Sequence, residues 1–278
     1  MANISAADVK KLRDLTGAGM MDCKRALEEN DGDLEKAIEF LRIKGQATAE
    51  KRADRTASNG LVAAHVADGV GTLVEVNCET DFVSKGDKFQ ALAQQVLDQA
   101  VAIKATTIAE LLASEVAPGQ TVAQLITDAT GTIGEKIEVR GVARVEAPHV
   151  ASYLHRTSPD LPPQIGVLVG VDGSAENVGV ARDVAMHAAA MKPAYLTREA
   201  VPAEVVAAER HIAEEKSREE GKPEQALPRI VEGRVDAFFK DVVLLEQKFA
   251  KDQTKTVKQV LSEAGVAAQA YARFQVGA

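Results

Sequence analysis

Leu73-Val74-Glu75-Val76-Asn77 has a counterpart 95 residues later in the chain, in Leu168-Val169-Gly170-Val171-Asp172. Both are short apolar runs typical of β-strands, and an alanine-rich stretch with helical spacing follows each of them. Further matches follow in the same order, Thr121-Val-Ala-Gln-Leu125 with Thr256-Val-Lys-Gln-Val260 and Ala143-Arg144-Val145 with Ala272-Arg273-Phe274. Because the matches keep their order within the same predicted elements, the sequence predicts an internal duplication of an α+β unit.

The second copy contains an insertion that we predict to be a helical hairpin. The first matches lie 95 residues apart and the Thr-Val-x-Gln matches 135 residues apart, so the second copy has gained about 40 residues between them. That interval holds a helical run over 202–220, a Gly-Lys-Pro break at 221–223 and a second run to about Phe239. Pro202 near the start and Gly221 past the end fit the usual positions of these residues in helices. We expect an antiparallel hairpin over about 202–240.

The first copy begins with two predicted strands. Residues 61–67 and 71–77 flank Asp68-Gly69, a pattern typical of a β-hairpin. Apolar residues then keep helical spacing over 89–100, and a last strand is predicted over 137–145.

Three short helices are predicted before these strands. Ser5 and Asp8 resemble a capping box, and Asp33 is a candidate N-cap. The predicted helices run over about 6–15, from Met20 to near Asn30, and from Leu34 to near Gly45. The basic stretch 46–59 is either a polar extension of the third helix or a linker.

These patterns predict an α+β protein in three parts. Residues 1–55 are a three-helix domain with a basic linker, residues 56–147 the first core subdomain, and residues 148–278 the second core subdomain with its hairpin.

Composition and charge argue against several classes of protein. The 278 residues carry 41 acidic and 33 basic side chains, and this net charge of −8 argues against a nonspecific nucleic-acid binder. No stretch approaches the ~18 to 20 consecutive apolar residues of a membrane span, and the first residues lack the apolar core of a signal peptide. We expect a cytoplasmic protein without membrane or direct nucleic-acid partners.

Motifs for catalysis and metal binding are absent from the sequence. Cys23 and Cys78 have no partner at CxxC or CxH spacing, so we expect two buried thiols. No metal-binding histidine pair, nucleophile elbow or phosphate loop occurs. No motif therefore supports an enzyme, and we expect the protein to have no cofactor or metal of its own.

Two segments point to binding instead. In Gly17-Ala18-Gly19-Met20-Met21, either one methionine is buried and the other tolerated, or both form an adaptable contact surface. Phe82 lies in a predicted loop over 78–87 of a chain with only seven Phe, three Tyr and no Trp. It either folds back onto its own core or projects beside Asp81 as a wedge for a partner's pocket.

The residues around these two segments resemble the signatures of the bacterial elongation factor Ts family. The similar stretches are Leu15-Thr-Gly-Ala-Gly-Met-Met-Asp-Cys-Lys-Arg-Ala-Leu27, Glu75-Val-Asn-Cys-Glu-Thr-Asp-Phe-Val83, Ile165-Gly-Val-Leu-Val169, Ala185-Met-His-Ala188, Lys192-Pro193 and Val231-Glu-Gly-Arg234. The resemblance covers nearly the whole chain.

The resemblance implies a guanine-nucleotide exchange factor for elongation factor Tu, with a ubiquitin-associated-like N-terminal domain, a duplicated core and a helical hairpin. It implies that Thr80, Asp81, Phe82 and Val83 displace the partner's Mg²⁺ and release GDP. It also implies that a second set of residues binds the partner: Leu12, Thr16, Gly17, Met20, Met21 and His155. The resemblance leaves open whether the protein forms a homodimer or a 2:2 complex with its partner.

Two other functions remain alternatives. The first is a non-catalytic adaptor whose N-terminal domain binds a helical or ubiquitin-like partner. The second is a small-molecule enzyme with a polar pocket between the two copies, which no motif supports.

Overall fold

A computed structural model of the chain describes residues 4–174 and 178–278. Helices and antiparallel sheets both occur along these residues, which confirms the predicted α+β class. Residues 1–3, at the start of the predicted first domain, lie outside the described part.

Three helices come first, and small or aliphatic side chains form their common core. They cover Ala6–Thr16 (α1), Met20–Glu29 (α2) and Leu34–Arg52 (α3). Ser5 and Asp8 form the predicted capping box, in which each side chain accepts a hydrogen bond from the other residue's backbone N–H. The buried residues of this core are Val9, Leu12, Cys23, Ala26, Leu27 and Ala37.

A three-stranded antiparallel sheet and its helices follow. In chain order the elements are Asn59–Ala67 (β1), Val70–Cys78 (β2), Asp81–Lys85 (α4), Asp87–Ala102 (α5), Ile108–Ala113 (α6), Glu115–Ala117 (β3), Gln120–Thr121 (β4), Val122–Ile133 (α7) and Ile137–Glu146 (β5). The sheet has the order β1-β2-β5, so β2 is central.

The rest of the chain forms a second sheet of the same design. Its elements are His149–His155 (β6), Ile165–Val171 (β7), Val178–Met191 (α8), Ala203–Glu219 (α9), Leu227–Val242 (α10), Lys248–Phe249 (β8), Asp252–Thr256 (β9), Val257–Glu263 (α11) and Ala268–Gln275 (β10). This sheet has the order β6-β7-β10. The segments matched in sequence also match in register, because Leu73 pairs with Ala143 and Leu168 pairs with Ala272.

The two sheets pack face to face, and helices cover their outer faces. The first sheet packs against α5, α6 and α7, and the second against α8 and α11. Five buried aliphatic side chains form the layer between the sheets: Val62, Leu73, Val145, Val150 and Leu168. A side chain points to alternate faces along a strand, so β7 turns Val167 and Val169 to the helices and Leu168 to the other sheet.

The matched Thr-Val-x-Gln segments begin equivalent helices. Thr121 caps α7 and Thr256 caps α11, each after a short β-hairpin. Each forms a capping box with the glutamine three residues later, Gln124 and Gln259 respectively.

The third helix is longer than the sequence predicted. It does not end near Gly45 but continues to Arg52, so the basic stretch begins as a helix extension. A Cβ at Gly131 of α7 would lie 2.5 Å from the Gly45 Cα. Gly45 therefore permits a close approach of α3 to α7 instead of ending the helix, which a single sequence cannot distinguish.

The helices α9 and α10 pack on each other within the range predicted for the hairpin. Their contact is built from Ala213, Val231 and Val235, all buried. Arg198 contacts the last two turns of α10. Its guanidinium donates a hydrogen bond to Asp236 at 2.8 Å and lies 4.5 Å from the centre of the Phe239 ring.

Candidate partner-binding site

Phe82 projects from the surface on a one-turn helix. The predicted loop over 78–87 contains α4, and the Phe82 side chain is 83% exposed, so it does not fold back onto the core. Val83 packs partly against the core of the first sheet and Ser84 is buried, and these two residues fix the inner face of α4. An exposed phenylalanine on a helix that is fixed by its own packing is accessible to another protein.

Thr80 begins this helix and is held from a distant part of the chain. Glu135, which lies between α7 and β5, accepts hydrogen bonds from the Thr80 N–H at 3.0 Å and from the Thr80 hydroxyl at 2.6 Å. The Thr80 hydroxyl in turn accepts the Val83 N–H at 3.4 Å. The start of α4 therefore depends on a carboxylate 55 residues away.

Glu79 makes the reciprocal connection. Its carboxylate accepts the Lys136 N–H at 2.6 Å and forms ion pairs with Arg52 at 3.1 Å and Arg55 at 3.0 Å. The Lys136 hydrogen bond, with the two arginines, lowers the pKa of Glu79 below its ordinary value. The end of α3 is thus attached to the residue that precedes Thr80.

Asp81 pairs within α4 itself. Its carboxylate lies 2.7 Å from the Lys85 Nζ, one helical turn later. The Lys85 hydrogen bond lowers the pKa of Asp81, so the carboxylate is charged at neutral pH. The helix therefore presents a ring, an anion and a cation side by side.

Cys78 lies buried directly before Glu79 and Thr80. Its thiol is buried and donates to the Thr80 carbonyl oxygen at 3.2 Å. Burial raises the pKa of the Cys78 thiol to about 12, so it remains protonated and unreactive at neutral pH. Cys23 is also a buried free thiol, and both cysteines are as predicted.

The Gly17–Met21 turn presents a second apolar surface. Met20 is 59% exposed and Met21 is 69% exposed, so neither methionine is buried in the bundle. Gly17 caps α1 with φ +68°, and Thr16 donates to the Leu12 carbonyl oxygen at 2.8 Å. Leu15, near the end of α1, is also 60% exposed, although its spacing from Leu12 is that of a core residue.

The partner contact expected for Leu12 does not fit its burial. Its side chain is 0% exposed and belongs to the core of the three helices. Its spacing from Val9 places it on the buried face of α1, so it supports the turn from inside and has no surface for a partner.

A hydrogen bond connects the methionine turn to α5, the helix that follows α4. Lys88, in the first turn of α5, donates to the Gly17 carbonyl oxygen at 3.1 Å. His155 lies elsewhere, half-buried on the edge strand β6, where its Nδ1 is 3.1 Å from the Tyr153 hydroxyl. The structure therefore brings the methionine turn next to the start of α5. Among the residues that the structure describes, no hydrogen bond joins His155 to the methionine turn or to α4.

An open cleft of about 460 Å³ lies between the three N-terminal helices and α7. Its lining mixes apolar and charged groups, and Lys44 pairs with Asp22 at 2.5 Å beside Leu15 and Ile38. Across residues 4–174 and 178–278, no group of His, Cys, Asp or Glu side chains converges as a metal site would require. Over the same ranges, no helix is long and apolar enough to cross a membrane.

Sequence reasoning missed Glu79 and Glu135 as anchors of this site. Both bond to backbone N–H groups that lie more than 50 residues away in the chain. No local pattern marks such a contact, so only the three-dimensional structure could reveal it.

Comparison with known proteins identifies relatives over the whole chain. A family model described as elongation factor TS matches residues 79–278. The elongation factor Ts of Kineococcus radiotolerans is 60% identical over 278 residues, which is 100% of both chains. That of Acidothermus cellulolyticus is 57% identical over 277 residues, covering 100% of this chain and 99% of the relative. That of Micrococcus luteus is 56% identical over 278 residues and 100% of both chains. The chain therefore belongs to the elongation factor Ts family of translation elongation factors.

Proposed function

We propose that this protein is a guanine-nucleotide exchange factor that binds elongation factor Tu and promotes release of its GDP. The observation that carries the proposal is Phe82, an exposed aromatic ring on a short helix that is anchored at its first residue. In a chain with so few aromatic residues, this placement favours a contact with a partner over packing.

Exchange by this route needs no catalytic group. A factor that binds the nucleotide-free partner more tightly than the GDP-bound partner weakens GDP binding by the same ratio. GDP is held partly through Mg²⁺, so a shift of the ion's ligands removes a large electrostatic contribution. A ring inserted between packed helices moves them, because packed elements shift instead of compressing.

Within this proposal, Thr80, Asp81, Phe82 and Val83 act at the partner's Mg²⁺ and phosphate site. Phe82 enters the partner, Asp81 lies beside it, and Thr80 and Val83 fix the helix from below.

A second contact comes from the N-terminal turn. Thr16, Gly17, Met20 and Met21 bind the partner there, with Leu15 in place of the buried Leu12. His155 makes a separate, weaker contact. Flexible methionine side chains adapt to a helical surface at little cost.

The architecture implied by the family belongs to the same proposal. Residues 1–55 form a ubiquitin-associated-like domain, 56–147 and 148–278 are duplicated subdomains, and the hairpin over about 202–240 is inserted in the second. The common sheet order and the matched register of Leu73 and Leu168 support the duplication. We further propose that the protein acts in the cytoplasm and forms a homodimer or a 2:2 complex with its partner.

The decisive experiment measures release of fluorescent GDP from elongation factor Tu. Wild-type protein should accelerate release, and Phe82→Ala should lower that acceleration about ten- to a hundredfold, since a buried phenylalanine side chain contributes about 1.5–3 kcal/mol. Ile103→Ala, at a residue directly after α5 that is 38% exposed, is the control and should retain full acceleration. A fully active, folded Phe82→Ala protein would contradict the wedge role.

The adaptor function makes a different prediction. An adaptor would bind its partner through Leu15, Met20 and Met21 alone, and these side chains are exposed. Substitution of Met20 and Met21 by Ala would then abolish partner binding, whereas Phe82→Ala would have no effect on binding or on GDP release.

A further inference from the structure

We propose that Glu135 is a positioning residue for nucleotide exchange, which acts by holding α4 in the orientation that presents Phe82. This proposal rests on the exchange function proposed above and adds to it a residue outside the segment that meets the partner. Glu135 lies beyond Gly134, the residue that caps α7, and two residues before β5.

The contact with Thr80 is bidentate. One carboxylate oxygen of Glu135 accepts the backbone N–H of Thr80 at 3.0 Å, and the other accepts its hydroxyl at 2.6 Å. Two hydrogen bonds to a charged acceptor fix both the position and the rotation of Thr80. The hydroxyl is thereby oriented to accept the Val83 N–H.

The helix α4 needs such an anchor because it is very short. It has five residues, and a single helical turn is unfavourable to form by itself, since several backbone dihedrals are fixed for one hydrogen bond. Its cap is weak, with 3.4 Å between the Thr80 hydroxyl and the Val83 nitrogen. Packing of Val83 and Ser84 holds its inner face, and the Cys78 thiol donates to the Thr80 carbonyl oxygen. Glu135 adds the two bonds that hold the N–H and the hydroxyl of Thr80.

Glu135 is itself on a rigid base. Ile137 pairs with Cys78 in the first sheet, which places the segment 135–136 beside 79–80. Glu79 then bonds the Lys136 N–H at 2.6 Å while Glu135 bonds the Thr80 N–H, so each segment holds the backbone of the other. The carboxylate that orients α4 is therefore fixed by the sheet.

This arrangement predicts a specific thermodynamic signature. If Phe82 enters the partner only as the nucleotide leaves, a loosened α4 weakens binding to nucleotide-free elongation factor Tu and leaves binding to the GDP form unchanged. A helix that is correctly placed for about a tenth of the time lowers the affinity of the competent state about tenfold. General destabilisation of the fold would instead lower both affinities equally.

The first test reports on α4 without any partner. The chain contains no tryptophan, so Phe82→Trp supplies a single indole reporter on this helix. Time-resolved fluorescence anisotropy should show faster indole motion when Glu135→Ala is added. Glu146→Ala, a change at an exposed residue at the end of β5, should leave the motion unchanged. Equal motion in all three proteins would overturn the anchoring.

The second test measures exchange with elongation factor Tu. Glu135→Ala should lower the maximal rate of GDP release and the affinity for nucleotide-free partner about tenfold each, with the concentration for half-maximal rate unchanged. Glu135→Gln should retain activity within about threefold, because its amide can accept the Thr80 N–H and donate to the Thr80 hydroxyl. Glu146→Ala is again the control.

The outcomes separate the two proposals. If Glu135→Ala loosens the indole but wild-type protein does not accelerate release, the exchange function is wrong and the positioning role for exchange is wrong with it. If wild-type protein is active and Glu135→Ala keeps its full rate, only the positioning role is wrong. A rate loss that Glu135→Gln fails to rescue, or one that affects binding of both partner forms equally, also overturns it.

Discussion

The two sheets share one design, but the chain departs from that design at different places in each half. After β2, the first half forms α4 and exposes Phe82, whereas the second half extends after α8 into the paired helices α9 and α10. The shared features are the strand order, the register and the capped helices that build the core. The common parts therefore build the core of each half, and α4 and the paired helices α9 and α10 are specific to one half each.

The closest correspondence between the halves lies where their sheets touch. Gly71 of β2 and Gly166 of β7 are 95 residues apart, like the matched strand segments. A Cβ at Gly71 would lie 2.8 Å from Val150 Cγ1, and a Cβ at Gly166 would lie 2.8 Å from Leu73 Cδ1 and closer still to Val62 Cγ1. Each sheet therefore has a glycine against an aliphatic side chain of the other.

The largest effect on stability is expected from filling these positions. Gly166→Ala should lower the free energy of unfolding by about 2–3 kcal/mol, because an added methyl group overpacks a fully buried layer. Gly71→Ala should cost somewhat less, since its contacts are longer. Urea unfolding followed by circular dichroism gives both values.

A third glycine provides the control. Gly233 lies inside α10, and a Cβ there would meet nothing within 4 Å. Gly233→Ala should raise stability by about 0.5–1 kcal/mol, because alanine favours the helix more than glycine does. Were Gly166→Ala as stable as the wild type, the close face-to-face packing of the two sheets would be wrong.

The next effect compares the two capped helices. Thr121→Ala and Thr256→Ala should each lower the free energy of unfolding by about 1 kcal/mol, because each removes the hydroxyl that caps its helix. The double variant should equal the sum within about 0.5 kcal/mol, since α7 and α11 cover different sheets. The corresponding serine variants, which keep the hydroxyl, are the controls.

Unequal costs would limit the equivalence of the halves. If Thr256→Ala has no effect while Thr121→Ala does, then the capping box in the second half contributes nothing measurable to stability although both capping boxes form. The two helices would then share a sequence motif without sharing its energetic role.

Local chemistry made much of this fold predictable from sequence. The capping box of Ser5, the strands around Asp68-Gly69 and the matched Thr-Val-x-Gln segments depend on neighbouring residues, so a single sequence reveals them. The pattern leaves open whether α3 extends past Gly45, because the reason for that glycine is Gly131 on another helix. The pattern around Phe82 leaves its exposure open, and the role proposed for it comes from the resemblance to a family.

The anchors of the candidate site were beyond any local pattern. Glu135 meets Thr80 across 55 residues and Glu79 meets the Lys136 N–H across 57. These contacts arise because β2 and β5 are paired, which fixes the ends of both strands together. Leu12 is the opposite case, because the family resemblance implies a partner contact whereas its spacing from Val9 indicates the buried face on which it lies.

The two central strands, β2 and β7, differ at one matched position in whether the residue has an ionisable side chain. Glu75 of β2 occupies the place that Gly170 has in β7, and its side chain is only 5% exposed. Within the described residues its Oε1 has no hydrogen-bond partner. Burial raises the pKa of Glu75, and the negative charge of Glu138 raises it further. A hydrogen bond with Asn77 and the positive charge of Arg140 act in the opposite direction.

This raised pKa predicts how stability depends on pH. A carboxyl whose pKa is higher in the folded protein than its ordinary 4.5 favours folding while it is protonated. That contribution is complete below the pKa of the unfolded chain and is lost as the pH rises through the folded pKa. Glu75→Gln removes the titration, so the stability of the variant relative to wild type should increase as the pH is raised from 4 to 7.

The pH series needs an uncharged reference on the same sheet. Ile137→Val, at a residue that is 4% exposed, should cost about 1 kcal/mol at every pH, because it changes volume and no charge. The difference in free energy of unfolding between Glu75→Gln and wild type could also stay constant with pH. Glu75 would then have the same pKa in the folded and unfolded chains. The increase expected here has no counterpart at the matched position of the second half, since Gly170 has no side chain to ionise.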